Sequence, residues 1–124
     1  MLAWLGAELR RIGNTCLWSC RGFSASWASE KSLRQWVLAN VISAGLAFVL
    51  PLDSGERGLI LALGVLVLAA ELFNTAIEEV VDYISEEFHP KAGKAKDCGS
   101  AGVALTALAA GAAWAMVLWG LWAG

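Results

Sequence analysis

The chain has 124 residues and a formal net charge of −2, enough for one domain and too little field to favour a nucleic-acid partner. Apolar residues make up 58% and charged residues 16%, with a mean hydropathy of +0.61, which excludes disorder, a disulfide-rich secreted fold and a basic nucleic-acid module. A chain this short exposes too much surface to dissolve in water with so little charge. The composition is that of an all-α integral membrane protein.

In chain order, residues 1–30 form neither a signal peptide nor a span, because Arg10, Arg11, Asn14 and Arg21 interrupt any continuous apolar run. At about 100° per residue, Leu5, Leu9, Ile12, Cys16, Cys20, Phe23 and Trp27 fall on one stripe, with Glu8, Arg11, Asn14 and Arg21 off it. This predicts an amphipathic helix lying on the membrane surface, with a plain anchoring helix as the alternative. Residues 36–52 carry no charge and are just long enough to span. Asp53 to Arg57 reads as a five-residue turn closing an antiparallel hairpin. Residues 59–81 form the second span, although Glu71, Glu78 and Glu79 lie within it. Residues 82–97, with Pro90 and Gly93, read as a polar loop, and 99–123 form a third, uncharged span rich in small residues that permit close helix contact.

Basic residues set the orientation. Arg10, Arg11, Arg21, Lys31 and Arg34 precede the first span, and Lys91, Lys94 and Lys96 lie in the 82–97 segment, against Arg57 alone on the other side. The expectation is a cytoplasmic N-terminus and 82–97 loop, and a periplasmic C-terminus. Trp114, Trp119 and Trp122 then lie toward the outer interface, Trp27 and Trp36 toward the inner one. Cys16, Cys20 and Cys98 all fall on the reducing side and read as small apolar filler.

The second span holds the chemistry. Glu71, Asn74, Glu78 and Asp82 project within one narrow wedge of an otherwise apolar helix, with Glu71 about 10 Å further along the axis than Glu78. A charge at bilayer depth costs at least roughly 2.5–3.5 kcal/mol, so such a group points to function, or to a protonated glutamate bonded to a neighbouring helix. Glu79, off the wedge, reads as solvated. The run from Gly93 to Ser100 places Lys94 and Lys96 beside small residues at the predicted start of the third span, where ammonium groups and free N–H donors suit an anion. By itself it reads as a basic flank with Asp97 as N-cap. Together with the carboxylate wedge it points to a phosphate and a divalent cation at the inner interface, magnesium being the expected ion. No G-x-x-x-x-G-K-[ST], G-x-G-x-x-G, H-R-D or D-F-G occurs, so any phosphoryl transfer uses a site unlike that of soluble kinases.

The segment Glu71-Leu-Phe-Asn74-Thr-Ala-Ile-Glu78, followed by Val80-Val81-Asp82 and then Lys94-Ala-Lys96-Asp97-Cys-Gly99-Ser100-Ala, closely resembles the prokaryotic diacylglycerol kinase family of Gram-negative type. Trp27, Glu30, Arg34 and Gln35 before the first span extend the resemblance, as do Trp114 and Trp119 in the third. The resemblance implies a homotrimer of three-span subunits, each with a surface helix, embedded in the inner membrane. It implies transfer from MgATP to 1,2-diacylglycerol, giving phosphatidic acid for phospholipid recycling. Carried over by position, Glu71 is the expected base and Asn74 its support. Glu30 and Glu78 are the expected magnesium ligands. Arg11, Trp18, Glu30, Glu78, Glu87, His89, Lys96 and Asp97 are the expected nucleotide contacts, and Arg11, Glu71, Ser100 and Trp114 the lipid contacts. Trp18 stands where well-known members carry a tyrosine, and Trp36 where some carry a glutamate. An undecaprenol kinase is the related alternative; a non-enzymatic three-span subunit handling protons is the alternative from another class.

Overall fold

The computed structural model describes residues 1–124, apart from the side chains of residues 2 and 3. Four helices follow one another: α1 (Leu2–Ser29), α2 (Lys31–Val49), α3 (Ser54–Ile84) and α4 (Pro90–Ala123). The last three are each long and apolar enough to cross a membrane.

One residue separates α1 from α2. Glu30 adopts an extended backbone (φ −93°, ψ 113°), and Arg34 Nη1 donates to the carbonyls of Trp27 (2.6 Å) and Ala28 (3.3 Å) near the end of α1. These are carbonyls that a helix end leaves without an internal partner. The first helix leaves Leu5, Leu9, Ile12, Phe23 and Trp27 of the expected stripe exposed, with Phe23 and Trp27 stacked 6.3 Å apart.

The hairpin between α2 and α3 is tighter than the sequence led us to expect. Residues 54–57 are already helical, because Asp53 accepts the Glu56 N–H (2.8 Å) while the Glu56 side chain accepts the Asp53 N–H (3.0 Å). This reciprocal cap starts the helix at once. Ala47 O would ordinarily meet the N–H of residue 51, but residue 51 is proline. Arg57 Nε fills that place at 2.8 Å, and its Nη2 reaches Leu52 O at 3.0 Å. The guanidinium also lies over the Phe48 ring, 5.4 Å from its centre.

The expected polar loop, 82–97, is helical except at Ser85–His89. Charge marks where the apolar run stops; it does not stop the helix. Thirty-one residues in α3 and thirty-four in α4 measure about 46 and 51 Å, against a hydrocarbon core of about 30 Å. Both helices therefore continue beyond the apolar layer. Pro90 occupies the first turn of α4, where its missing N–H costs nothing, and His89 is the cap, its Nδ1 accepting from Lys91 N–H at 3.2 Å. The expectation of Asp97 as N-cap is thus corrected: it lies two turns inside α4.

Both α2 and α4 pack on α3, and their backbones do not approach each other. The buried stripe of α3 is Ile60, Gly64, Val67, Glu71 and Thr75. A small core of Ala47, Leu52, Ile60 and Val117 fills the end near Asp53. Between α2 and α4, Trp114 Nε1 donates to Ser43 Oγ at 2.9 Å across a cavity of about 140 Å³.

Candidate active site

Glu71 is 4% exposed in the single chain, with Thr75 one turn further on also buried. This follows from the same periodicity that buries Ile60, Gly64 and Val67: the stripe facing the other helices simply continues into polar residues. Asn74 and Glu78 flank it. Asn74 Nδ2 donates to Glu78 Oε1 at 3.0 Å, while Asn74 Oδ1 is buried without a partner among the described residues. That oxygen lies against Gly99 of α4, where a Cβ would collide with it. Gly99 therefore lets α4 close over the amide. Asn40 on α2 sits over Gly64 on α3 in the same way.

Further toward Ser85, Lys96 Nζ lies 2.7 and 2.9 Å from the two carboxylate oxygens of Asp82. The pair is partly exposed (37% for Lys96, 55% for Asp82) and lies ahead of the uncharged run that begins at Gly99. Its hydrogen bond to Asp82 chiefly holds the lysine ammonium above its ordinary pKa; desolvation opposes this, and the charges of Asp82 and Glu78 add to it. Because α4 begins at Pro90, the free N–H groups expected beside Lys94 and Lys96 are not there: both lysines sit inside the helix, and they offer charge alone.

Glu87 and His89 line one cavity of about 460 Å³ with Phe88 and Lys91. The backbone N–H of Glu87 donates to Ser85 Oγ at 3.0 Å, which shapes that connection. Glu30 stands at the α1–α2 corner and accepts from Ser29 Oγ at 2.8 Å. Asp97 and Ser100 are exposed on α4. Arg11 pairs with Glu8 on its own helix at 2.8 Å, and Trp18 is 62% exposed. Neither lines the cleft of about 680 Å³ between α1 and α3, which Ser19, Ser26, Ser29, Thr75 and Glu79 border. Glu79, read from the sequence as merely solvated, faces this cleft. The structure thus groups Glu71, Asn74 and Glu78 on α3, ties Lys96 to the same helix, and leaves Arg11 and Trp18 apart. The α1–α3 cleft and the Lys96–Asp82 tie went unread in the sequence; the weak signal for the second was an acid and a base facing each other across a helical hairpin.

Three membrane-length helices, with a buried carboxylate on the central one and a lysine–carboxylate pair beyond it, define a small polytopic membrane protein with an ionisable interior. The sequence model of prokaryotic diacylglycerol kinase matches residues 17–118. The chain is 45% identical to the diacylglycerol kinase of Pseudomonas aeruginosa over 114 residues, covering 90% of this chain and 91% of that one. It is 37% identical to that of Escherichia coli K12, covering 88% and 89%, and 34% identical to that of Haemophilus influenzae, covering 89% and 93%. The chain belongs to the prokaryotic diacylglycerol kinase family, a family of membrane enzymes.

Proposed function

We propose that the protein transfers the γ-phosphoryl group of ATP to the free hydroxyl of 1,2-diacylglycerol, giving phosphatidic acid and ADP at the cytoplasmic face of the inner membrane and so returning diacylglycerol to phospholipid synthesis. The observation that carries this reading is the polar ladder on α3, running from the buried Glu71 through the Asn74–Glu78 pair to Asp82 and its Lys96. It spans about 16 Å, from a depth suited to a lipid hydroxyl to a level where a soluble nucleotide reaches.

Glu71 takes the hydroxyl proton as the lipid oxygen bonds to the γ-phosphorus and the bond from that phosphorus to the β–γ bridging oxygen breaks. Asn74 holds Glu78 in place. Lys96 offsets charge on the phosphates, and Glu87, His89, Asp97, Arg11 and Trp18 border the nucleotide. Ser100 borders the lipid near Asn74, and Trp114, held by Ser43 between α2 and α4, meets its chains further along the bundle. Most of the acceleration then comes from positioning and charge.

The donor set fits magnesium: Glu78 is half-buried and presents a hard carboxylate, one oxygen of which Asn74 already orients. Among the described residues no three acidic, histidine or cysteine side chains converge, so phosphates and water would supply the rest of the shell. Glu78 and Glu30 are the residues that would hold it, and the ion would offset the charge on the transferring phosphoryl group.

The assembly is a homotrimer in this reading. The long faces of α2 and α4 left open in one chain, with Leu38, Val41, Leu105 and Leu108 exposed, are covered by lipid or by other copies, and α1 lies on the inner leaflet. A catalytically active monomer in mild detergent overturns the trimer. The test of function is detergent-solubilised protein with radiolabelled ATP, offered diacylglycerol and undecaprenol in parallel. Label in phosphatidic acid is expected; label in the polyprenyl product alone reassigns the substrate, and transfer to neither refutes the kinase reading.

A further inference from the structure

Two carboxylates on α3 stand one turn apart, Glu78 and Asp82, and the one ammonium that α4 brings to this face meets Asp82. Lys96 engages Asp82 through both oxygens, at 2.7 and 2.9 Å. Glu78 meanwhile has one oxygen held by Asn74. A lysine head on a four-carbon stem is free to change partner. Asp82 chiefly holds the Lys96 ammonium charged, and the charge of Glu78 adds a smaller effect in the same direction. Without Asp82, the polar wedge of α3 still carries Glu78 one turn away, and its charge acts on Lys96.

We propose that Asp82 is a positioning residue that parks Lys96 away from Glu78, so that the Glu78 carboxylate stays available to a divalent cation and Lys96 stays available to phosphate. This rests on the reading of Glu78 as a cation ligand. An exposed lysine–carboxylate pair is weak, which suits the role. It fixes the lysine in the resting chain and yields it to a phosphate of higher charge. The pair also joins two helices, whereas the other ion pair among the described residues, Arg11–Glu8, lies within α1. Asp82 thus fixes where α4 delivers its lysine along α3.

The test is equilibrium binding of Mn²⁺, as a paramagnetic stand-in for magnesium, to the assembled protein with a non-hydrolysable ATP analogue and no lipid. Asp82→Asn is expected to weaken Mn²⁺ binding by about 2–5-fold, the size an exposed ion pair supports, and to raise KM for MgATP while leaving kcat at saturation within about twofold. Asp82→Glu restores both. The decisive variant adds Lys96→Met to Asp82→Asn. With no ammonium to occupy Glu78, and with the analogue held saturating for every variant so that the lost phosphate contact does not enter, Mn²⁺ affinity returns to the parental value even though turnover is lost. If the double variant stays as weak as Asp82→Asn, Asp82 acts only on structure and the proposal fails. Glu78→Gln separates the two readings. Unchanged Mn²⁺ affinity there removes Glu78 as a ligand and the proposal with it. Weakened affinity there, with Asp82→Asn unaffected, overturns the proposal alone. Asp82 is more than half exposed, so these variants are expected to assemble, and helicity by circular dichroism checks that they do.

Discussion

The two ends of the helix bundle treat polar groups in opposite ways. Near Asp53, each polar side chain finishes a helix: Asp53 and Glu56 cap α3 reciprocally, and Arg57 supplies the donor that Pro51 lacks for Ala47 O. Near Ser85, polar groups are left partly unspent. Glu71 is buried, Asn74 Oδ1 has no partner among the described residues, and Lys96 is held by a partly exposed pair with Asp82. Polar residues in an apolar chain are expensive, so they are either consumed by the backbone or held ready for a ligand. In the proposed reading, the contrast separates a structural end from a chemical one.

The largest expected effect is at the chemical end. Glu71→Gln keeps the shape of the side chain and removes its basicity, so turnover should fall by about 10²–10⁴-fold with nucleotide binding and assembly retained. Lipid phosphorylation, nucleotide binding and oligomer size are measured on one preparation. An assembled variant keeping more than about a tenth of the turnover would falsify the role of base.

At the structural end, Arg57→Met should cost about 1.5–3 kcal/mol, because it leaves two carbonyls without a charged donor, one of them on fully buried Ala47. Thermal unfolding in detergent reads the loss, and turnover per assembled molecule should not change. A fall in turnover without a fall in stability breaks the comparison.

The matched notches sharpen it. Gly64→Ala and Gly99→Ala each push a Cβ into an asparagine oxygen, Asn40 in one case and Asn74 in the other. Overpacking of this kind costs about 1–3 kcal/mol and the roughly 1 kcal/mol that alanine gains over glycine in a helix offsets only part of it, so both should lose stability to a similar, modest extent. Gly99→Ala alone should lower turnover, by about tenfold, because moving Asn74 strains a hydrogen bond to a charged group worth ~1.5–3 kcal/mol. Equal turnover in the two variants counts against the functional role of Asn74. The smallest effect is Asp53→Ala, about 1 kcal/mol from the lost cap, again with turnover intact.

Much of this was legible in the residues. Apolar runs located the three membrane-length helices, and the 3–4 spacing of Glu71, Asn74 and Glu78 put them on one face. What hydropathy does not report is where a helix ends. Asp82 and Lys96 belong to helices that outrun the apolar layer, so a polar stretch was read as a loop, and Pro90 as a break when it opens α4. Pairings such as Lys96 with Asp82, Trp114 with Ser43 and Arg57 with Ala47 depend on the register of one helix against another. Register is set by small residues such as Gly64 and Gly99, and no periodicity announces it. The positions of Arg11, Trp18 and Glu30 came from resemblance, and one chain alone does not bring Arg11 and Trp18 to the ladder.

The continuation of α3 and α4 past the apolar layer has a mechanical meaning. A flexible loop would absorb any displacement at residues 85–89 within a few bonds. Two long helices tied by Lys96 and Asp82 form instead a lever arm whose short end carries Glu71 and whose free end lies about 20 Å away. A displacement there would be shared along α3 rather than taken up within a few bonds.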